Sequence, residues 1–463
     1  MRTLSSKWNT FSPDYCPHSP RAGHHHETSA LLLEKEYAFE MACSNIRYGE
    51  GVTCEVGKDF KNLHSKNICV MTDKRLIDTL GVHMALQSLE DEKLNYKMFT
   101  DIKVEPSDES FKKAIDFAKE GNFDAFLAIG GGSAMDTCKA ANLYSSNPSA
   151  DFLDYVNAPI GKGLPIMHTV KPLIAIPTTA GTGSETTGTA IFGFDKLQAK
   201  TGISNRSLRP LLGLIDPLNM KTLPERVAAW SGLDVLCHAL ESYTALPYNE
   251  RTPRPASPEL RPAYQGSNPI SDIWTEACLK ICNNYLVRAV FNAEDMEARS
   301  SMLLASSYAG IGFGNSGVHL CHGMSYPIAG LVKDYQAEDY PTDNPIIPHG
   351  LSVSITAPAV FKFTASACPE RHLKSAALLG VDILGKQKAD AGLILSDRLC
   401  TILHDLNVPN GLKALGYTED DIPSLVKGTL PQHRVTKLSP VMQSNEELAE
   451  SLTEIFRASM TIY

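Results

Sequence analysis

Asp234 and His238 lie four residues apart in the otherwise apolar run SGLDVLCHALESY. On a helix, positions i and i+4 stand one turn apart on the same face, so this carboxylate and imidazole can converge. A buried carboxylate without a partner is costly. An arginine, a hydrogen-bond network or a metal ion could each be that partner. Two further histidines, His322 in VHLCHGMSYP and His349 in IPHGLS, each precede a glycine. Either alone reads as a satisfied core histidine. With Asp234 and His238 they make one carboxylate and three imidazoles. That donor set suits a divalent first-row ion and leaves it net positive, hence Lewis-acidic. His319, three residues before His322, competes for the same place.

Two glycine-rich turns suggest an anion site. AIGGGSAMD (residues 128–136) leaves a strand and opens a helix. Gly130, Gly131 and Gly132 let phosphate oxygens approach the backbone N–H groups, and the helix N-terminus favours the negative charge. The spacing is not GxGxxG, and a plain tight turn is the alternative. PTTAGTGSET (residues 177–186) follows another strand and offers the hydroxyls of Thr178, Thr179, Thr182 and Ser184. Asp73 ends the run NICVMTD, where a carboxylate can bind a ribose 2′-hydroxyl and repel a 2′-phosphate, favouring NAD over NADP. Helix capping is the other reading of Asp73.

Positioning these groups requires two kinds of architecture. From about Arg47, strand-like and helical runs alternate: NICVMTD, a helix over 82–94, YKMFT, ESFKKAIDFAKEG, FDAFLAIGG and its following helix, KPLIAIPTT, GTAIFGF and LGLIDP. Such alternation predicts a parallel sheet wrapped by helices. Beyond Asp216-Pro217 strand signals fade and amphipathic helices dominate. The expected division is a tail over 1–44, an α/β dinucleotide-binding domain over 45–217 and an all-helical metal- and substrate-binding domain over 218–463. Two irregular stretches interrupt the helices, PYNERTPRPASPELRPAYQGSNP and KDYQAEDYPTDNPIIP. Loops of that length in a compact domain are usually functional or disordered.

Of 463 residues, 43% are hydrophobic and 21% charged, the ordinary range for a soluble globular protein. A formal net charge of −9 argues against nucleic acid as a partner. No apolar run reaches membrane-span length, so no membrane partner is expected. Eleven cysteines without CxxC spacing read as reduced, mostly packing thiols; Cys278 and Cys282 are one helical turn apart, and Cys237 and Cys321 precede His238 and His322. The first thirty residues, rich in Ser, Thr, His and Pro with Arg2, Lys7 and Arg21, fit a mitochondrial transit segment or a disordered tail.

The ordered motifs GGGSAMDTCK, PTTAGTGSE, GLDVLCHALESY, CHGMSYP and PHG resemble those of the iron-containing (group III) alcohol dehydrogenases, over roughly residues 45–460. The resemblance implies that family's dehydroquinate synthase-like architecture, with a catalytic metal in the cleft between the two domains. It places the metal ligands at Asp234, His238, His322 and His349. The dinucleotide contacts fall at Asp73, Gly131, Gly132, Ser133, Asp136, Thr178, Thr179 and Thr182. Lys200 falls where the family has a lysine near the nicotinamide ribose and substrate. Fe is the first expectation for the metal, with Zn as the alternative. Many members carry a second histidine four residues after the one matching His322. Tyr326 stands there, so either it takes over proton transfer or the proton route differs. The His322–His349 spacing is also enlarged, and the longer insert is expected to cover the cleft.

YAFEMACSNIRYGEGVT, RPAYQGSNPISDIW and VKGTLPQHRVTKL resemble one mitochondrial branch of that family. The likeness implies a matrix enzyme with tightly bound NAD(H) that couples oxidation of 4-hydroxybutyrate to reduction of 2-oxoglutarate. A conventional NAD-dependent alcohol dehydrogenase is the alternative. Both acids carry a carboxylate remote from the reacting carbon, and Arg251, Arg254 and Arg261 are the candidate cations. A solvated loop is the other reading of that stretch, and a homo-oligomeric state is left open.

Overall fold

The computed structural model describes residues 34–194, 199–340, 342 and 344–463. Residues 1–33, the main part of the expected transit segment, lie outside the described residues. Residues 34–44, grouped with the tail on composition, are instead bound to the body of the protein. The buried Glu36 carboxylate there accepts hydrogen bonds from the Arg261 guanidinium at 3.0 Å on each oxygen.

Six strands form one parallel sheet: β1 (Asn45–Tyr48), β2 (Asn67–Thr72), β3 (Asn95–Phe99), β4 (Ala125–Gly130), β5 (Leu173–Pro177) and β8 (Leu212–Ile215). Their spatial order is β1-β8-β5-β4-β2-β3. Every residue of β4 and β5 is buried, as helices on both faces of a parallel sheet demand. Alternation along β2 sends successive residues to opposite faces. Ile68 and Val70 join Val82, Ala85 and Leu89 of α2 (Leu80–Asp91), and Phe60 of α1 (Val56–Asn62). Cys69 and Met71 join Ala114 and Ala118 of α3 (Asp108–Glu120), and Ala134 and Cys138 of α4 (Gly132–Ser146). The strand order reverses between β2 and β4, so connections leave toward opposite edges there. A crevice opens at such a switch point, outside the carboxyl ends of the strands.

Two elements differ from the sequence reading. GTAIFGF is not in the parallel sheet: as β6 (Thr189–Phe194) it pairs antiparallel with β7 (Ala199–Ser204). Its apolar Ala190 and Phe192 pack with Phe111 and Tyr144 beside α3 and α4. The edge strand β1 has no clear apolar alternation and is held by its pairing with β8.

The second half is helical. Helices α5 (Glu225–Thr244), α6 (Pro269–Phe291), α7 (Met296–Ser316), α8 (Leu320–Gly330) and α9 (His349–Ser354) surround the site. Behind them lie α10 (Ala357–Thr364), α11 (Pro369–Leu378), α12 (Ala391–Asp405), α13 (Ile422–Thr429), α14 (His433–Thr436) and α15 (Asn445–Ala458). Helix α5 is buried almost all round, the signature of a core helix. No helix among the described residues is long and apolar enough to cross a membrane.

Candidate active site

Asp234, His238 and Glu241 recur at i, i+4 and i+7 along α5 and share one buried face. Glu241 organises the next helix. Its Oε1 accepts the backbone N–H groups of His319 (3.0 Å), Cys321 (2.7 Å) and His322 (3.3 Å) at the start of α8. A carboxylate there satisfies amides that have no intrahelical acceptor. Its Oε2 holds His322 Nδ1, which turns Nε2 of the same ring toward Asp234. The competing His319 is used otherwise: its Nδ1 accepts the Leu320 N–H at 2.8 Å, and Nε2 bonds the Thr244 hydroxyl at 3.0 Å.

His349 arrives from α9. A Cβ on Gly350 would lie 1.8 Å from the Trp230 carbonyl oxygen, so only glycine lets α9 approach α5 this closely. Asp234, His322 and His349 each bring a donor atom within 4.8 Å of the others, and His238 stands beside that trio through its approach to Asp234. Asp234 Oδ1 lies 3.7 Å from His238 Nε2, 3.4 Å from His322 Nε2 and 3.8 Å from His349 Nε2. Both Asp234 Oδ1 and His322 Nε2 are buried without a hydrogen-bond partner. His238 is clamped by rings, stacked on Phe313 at 3.9 Å and on His322 at 4.6 Å.

The electrostatics fit a cation. Burial pushes the Asp234 carboxyl up, but the imidazoles of His238, His349 and His322 outweigh it and hold the group ionised. Burial drags His238 down to about 3, keeping that imidazole neutral with a lone pair to give. Burial opposes charge on His322 too, yet Glu241 and Asp234 overcome it and raise His322 to about 9. The two carboxylates thus favour positive charge at His322, the place where a divalent ion would supply it instead. The donor set is one carboxylate oxygen and imidazole nitrogens, the type that Fe and Zn accept. The neighbouring Cys237 and Cys321 thiols are buried and pushed far up, so they remain protonated packing groups.

The dinucleotide candidates line the same cavity, of about 640 Å³, as the metal cluster. Gly131, Gly132 and Ser133 lie at the start of α4, at the switch point, and Thr178, Thr179 and Thr182 follow β5 beside them. The two turns touch: a Cβ on Gly132 would meet Thr182 Cγ2 at 2.6 Å. Asp136 fastens them together, with Oδ1 accepting from the Ser184 hydroxyl at 2.7 Å and Oδ2 from the Ile191 N–H at 2.9 Å. Asp73 lines the cavity and also caps the turn after β2, accepting the Arg75 N–H at 2.9 Å and pairing with its guanidinium.

Lys200 reaches the cavity from β7, paired with Glu105. Glu105 Oε1 also accepts the His349 N–H at 3.2 Å, so this ion pair borders the metal cluster. Tyr326 lies one turn after His322 on α8, and its phenol oxygen accepts from Arg434 Nη2 at 2.7 Å. Tyr340, from the insert after α8, lines the cavity with Asp339, whose carboxylate accepts the Arg226 N–H at 2.9 Å. Positions 341 and 343 of that insert are outside the described residues.

The proposed carboxylate-binding arginines are corrected by the structure. Arg261 is spent on Glu36 and Arg254 stacks on Tyr37 with 5.1 Å to the ring, while Arg251 is tied to Glu36 through its backbone and keeps a buried Nη1 without a hydrogen-bond partner. None of the three lines the cavity. Glu241, Glu105 and Arg434 were missed. Only Glu241 had a visible signal, the continued α5 spacing. Glu105 sits in the left-handed region (φ 55°), which sequence does not announce.

Residues 43–217 match the family model for iron-containing alcohol dehydrogenase, and residues 263–459 match that for the C-terminal part of the Fe-containing alcohol dehydrogenase family. The chain is 62% identical to the mitochondrial hydroxyacid-oxoacid transhydrogenase of Xenopus tropicalis, covering 92% of each chain. The chain belongs to the iron-containing alcohol dehydrogenase family. It is 60% identical to the Homo sapiens protein of the same description, over 92% of this chain and 91% of that one. Among solved structures, an archaeal alcohol dehydrogenase from a Red Sea brine pool is 25% identical, with a TM-score of 0.77 over 92% of this chain and 99% of that one. A 1,3-propanediol oxidoreductase shares the fold, with a TM-score of 0.78 at 24% identity over 91% of this chain and all of the other. Family membership makes the chain an oxidoreductase and supports a metal and NAD as its cofactors.

Proposed function

We propose that this chain is a mitochondrial hydroxyacid–oxoacid transhydrogenase, which passes hydride from 4-hydroxybutyrate to 2-oxoglutarate through NAD retained in the crevice. The products are succinate semialdehyde and 2-hydroxyglutarate. The observation that carries the reading is one cavity lined both by Asp234, His238, His322 and His349 and by the two glycine- and threonine-rich turns. The names of relatives at 60% identity or more supply the reaction type.

Asp234, His238, His322 and His349 would hold the metal, Fe in the first instance and Zn as the alternative. Bound there, it supplies Lewis acidity toward the substrate's hydroxyl or carbonyl oxygen. The remaining work belongs to the chain. Gly131, Gly132 and Ser133 present helix-start amides to the pyrophosphate, while Thr178, Thr179 and Thr182 fix the nucleotide from the facing turn. Asp136 keeps the two turns in register, and Asp73 faces the ribose. Lys200 Nζ, anchored by Glu105 at the cavity wall, would supply a cationic donor to the nicotinamide ribose and the substrate oxygen. The hydroxyl proton lost in the first half-reaction is regained in the second, so no net proton or NAD is consumed. Tyr340 and Asp339 narrow the mouth around the retained cofactor.

Mixing purified enzyme with 4-hydroxybutyrate and 2-oxoglutarate, without added NAD, tests this directly. Formation of 2-hydroxyglutarate and succinate semialdehyde in equal amounts is expected. Strict dependence on added NAD would instead indicate a conventional alcohol dehydrogenase.

A further inference from the structure

Arg434 has no role in the chemistry above, yet it lies in the wall of the same cavity. Its Nη2 donates to the Tyr326 phenol oxygen at 2.7 Å, and its guanidinium lies 4.9 Å from the centre of the Tyr264 ring. Its Nη1 is buried with no hydrogen-bond partner. A guanidinium is always charged, and a buried donor without an acceptor is expensive to keep. The other cations lining the cavity differ. Arg75 is paired with Asp73 and Lys200 with Glu105, while Lys221 is exposed. Among the described residues no carboxylate is paired with Arg434.

Two chains of contact tie this guanidinium to the metal cluster. Tyr326 stands four residues after His322 on α8, about 6 Å of helix rise. Across the cavity, Tyr264 meets Phe313 at 6.3 Å, and Phe313 stacks on His238 at 3.9 Å. Phe313 and Val318 add apolar surface to the same cavity.

We propose that Arg434 is the carboxylate-binding residue of the substrate site, its free Nη1 and the flanking Tyr264 and Tyr326 receiving the remote carboxylate of a four- or five-carbon acid. The assignment rests on the transhydrogenase reading and explains how one site serves both half-reactions. In 4-hydroxybutyrate the carboxylate carbon is three carbon–carbon bonds from the carbinol carbon. In 2-oxoglutarate the distal carboxylate carbon is three bonds from the ketone carbon. A single cation at one distance from the reacting centre therefore suits both acids, while plain alcohols forgo the contact.

The test compares wild type with Arg434→Met and Arg434→Lys. It measures kcat/KM for 4-hydroxybutyrate and for 1-butanol with NAD added, KM for 2-oxoglutarate, and succinate binding by calorimetry. Removing a charge-assisted contact predicts a roughly 10- to 100-fold loss of preference for 4-hydroxybutyrate over 1-butanol in Arg434→Met. It also predicts a matching rise in KM for 2-oxoglutarate and equally weakened succinate binding. Arg434→Lys, which keeps the charge and loses the fork, recovers part of each and decides the matter if the Met variant does not fold. Equal losses toward acid and alcohol, or unchanged succinate binding, would overturn the assignment. A wild-type enzyme inert toward the acid pair would overturn the functional reading itself, and succinate binding would still decide the role of Arg434.

Discussion

At the scale of residues, the candidate metal cluster depends on a carboxylate that stands behind it. Glu241 fixes His322 by gripping Nδ1 while its other oxygen is shared among three amides. Glu241→Gln keeps the shape but removes the charge that favours Nδ1–H and the outward lone pair. Metal affinity is expected to fall by roughly 10- to 100-fold, read from competition with a chelator. Unchanged affinity would mean that His322 is oriented by packing alone. The gathering of these side chains was legible because Asp234 and His238 declare one helical face and His322 and His349 follow in recognisable motifs. Arg434 was not. It lies 108 positions from Tyr326 on a four-residue helix, and only the tertiary fold brings them together. The same blindness misdirected the reading of Arg261: its composition-level promise as an anion binder is consumed by Glu36.

At the scale of elements, close approach decides whether the donors meet. Helix α9 is six residues long and cannot position His349 by itself; its seat against the Trp230 carbonyl does so through Gly350. Gly350→Ala therefore forces α9 away from α5. A loss of about 1–3 kcal/mol in denaturant stability is expected, with weaker metal binding. A variant as stable and as metal-bound as wild type would contradict this role. Strands β2, β4 and β5 were legible because burial on both faces writes itself as unbroken apolar runs. The β6–β7 hairpin was not, since an apolar run states burial but not its neighbour. Asp73 shows the same limit at a strand end: the structure shows the capping reading, with the carboxylate also at the cavity wall where the ribose reading would put it.

At the scale of the whole molecule, a parallel sheet with its reversal between β2 and β4 faces a helical half whose α5, α8 and α9 converge. The sheet side brings two glycine- and threonine-rich turns to the cavity, and the helical side brings the candidate metal cluster. Family membership was readable from five ordered motifs because both sides of the crevice are written in short local stretches. The metal content of purified His349→Ala, measured beside its affinity for NAD, tests the central claim most directly. Wild type is expected to carry a single divalent ion per chain, and His349→Ala to lose it while binding NAD nearly as before. Full metal occupancy in His349→Ala would contradict the four-ligand centre on which the account stands.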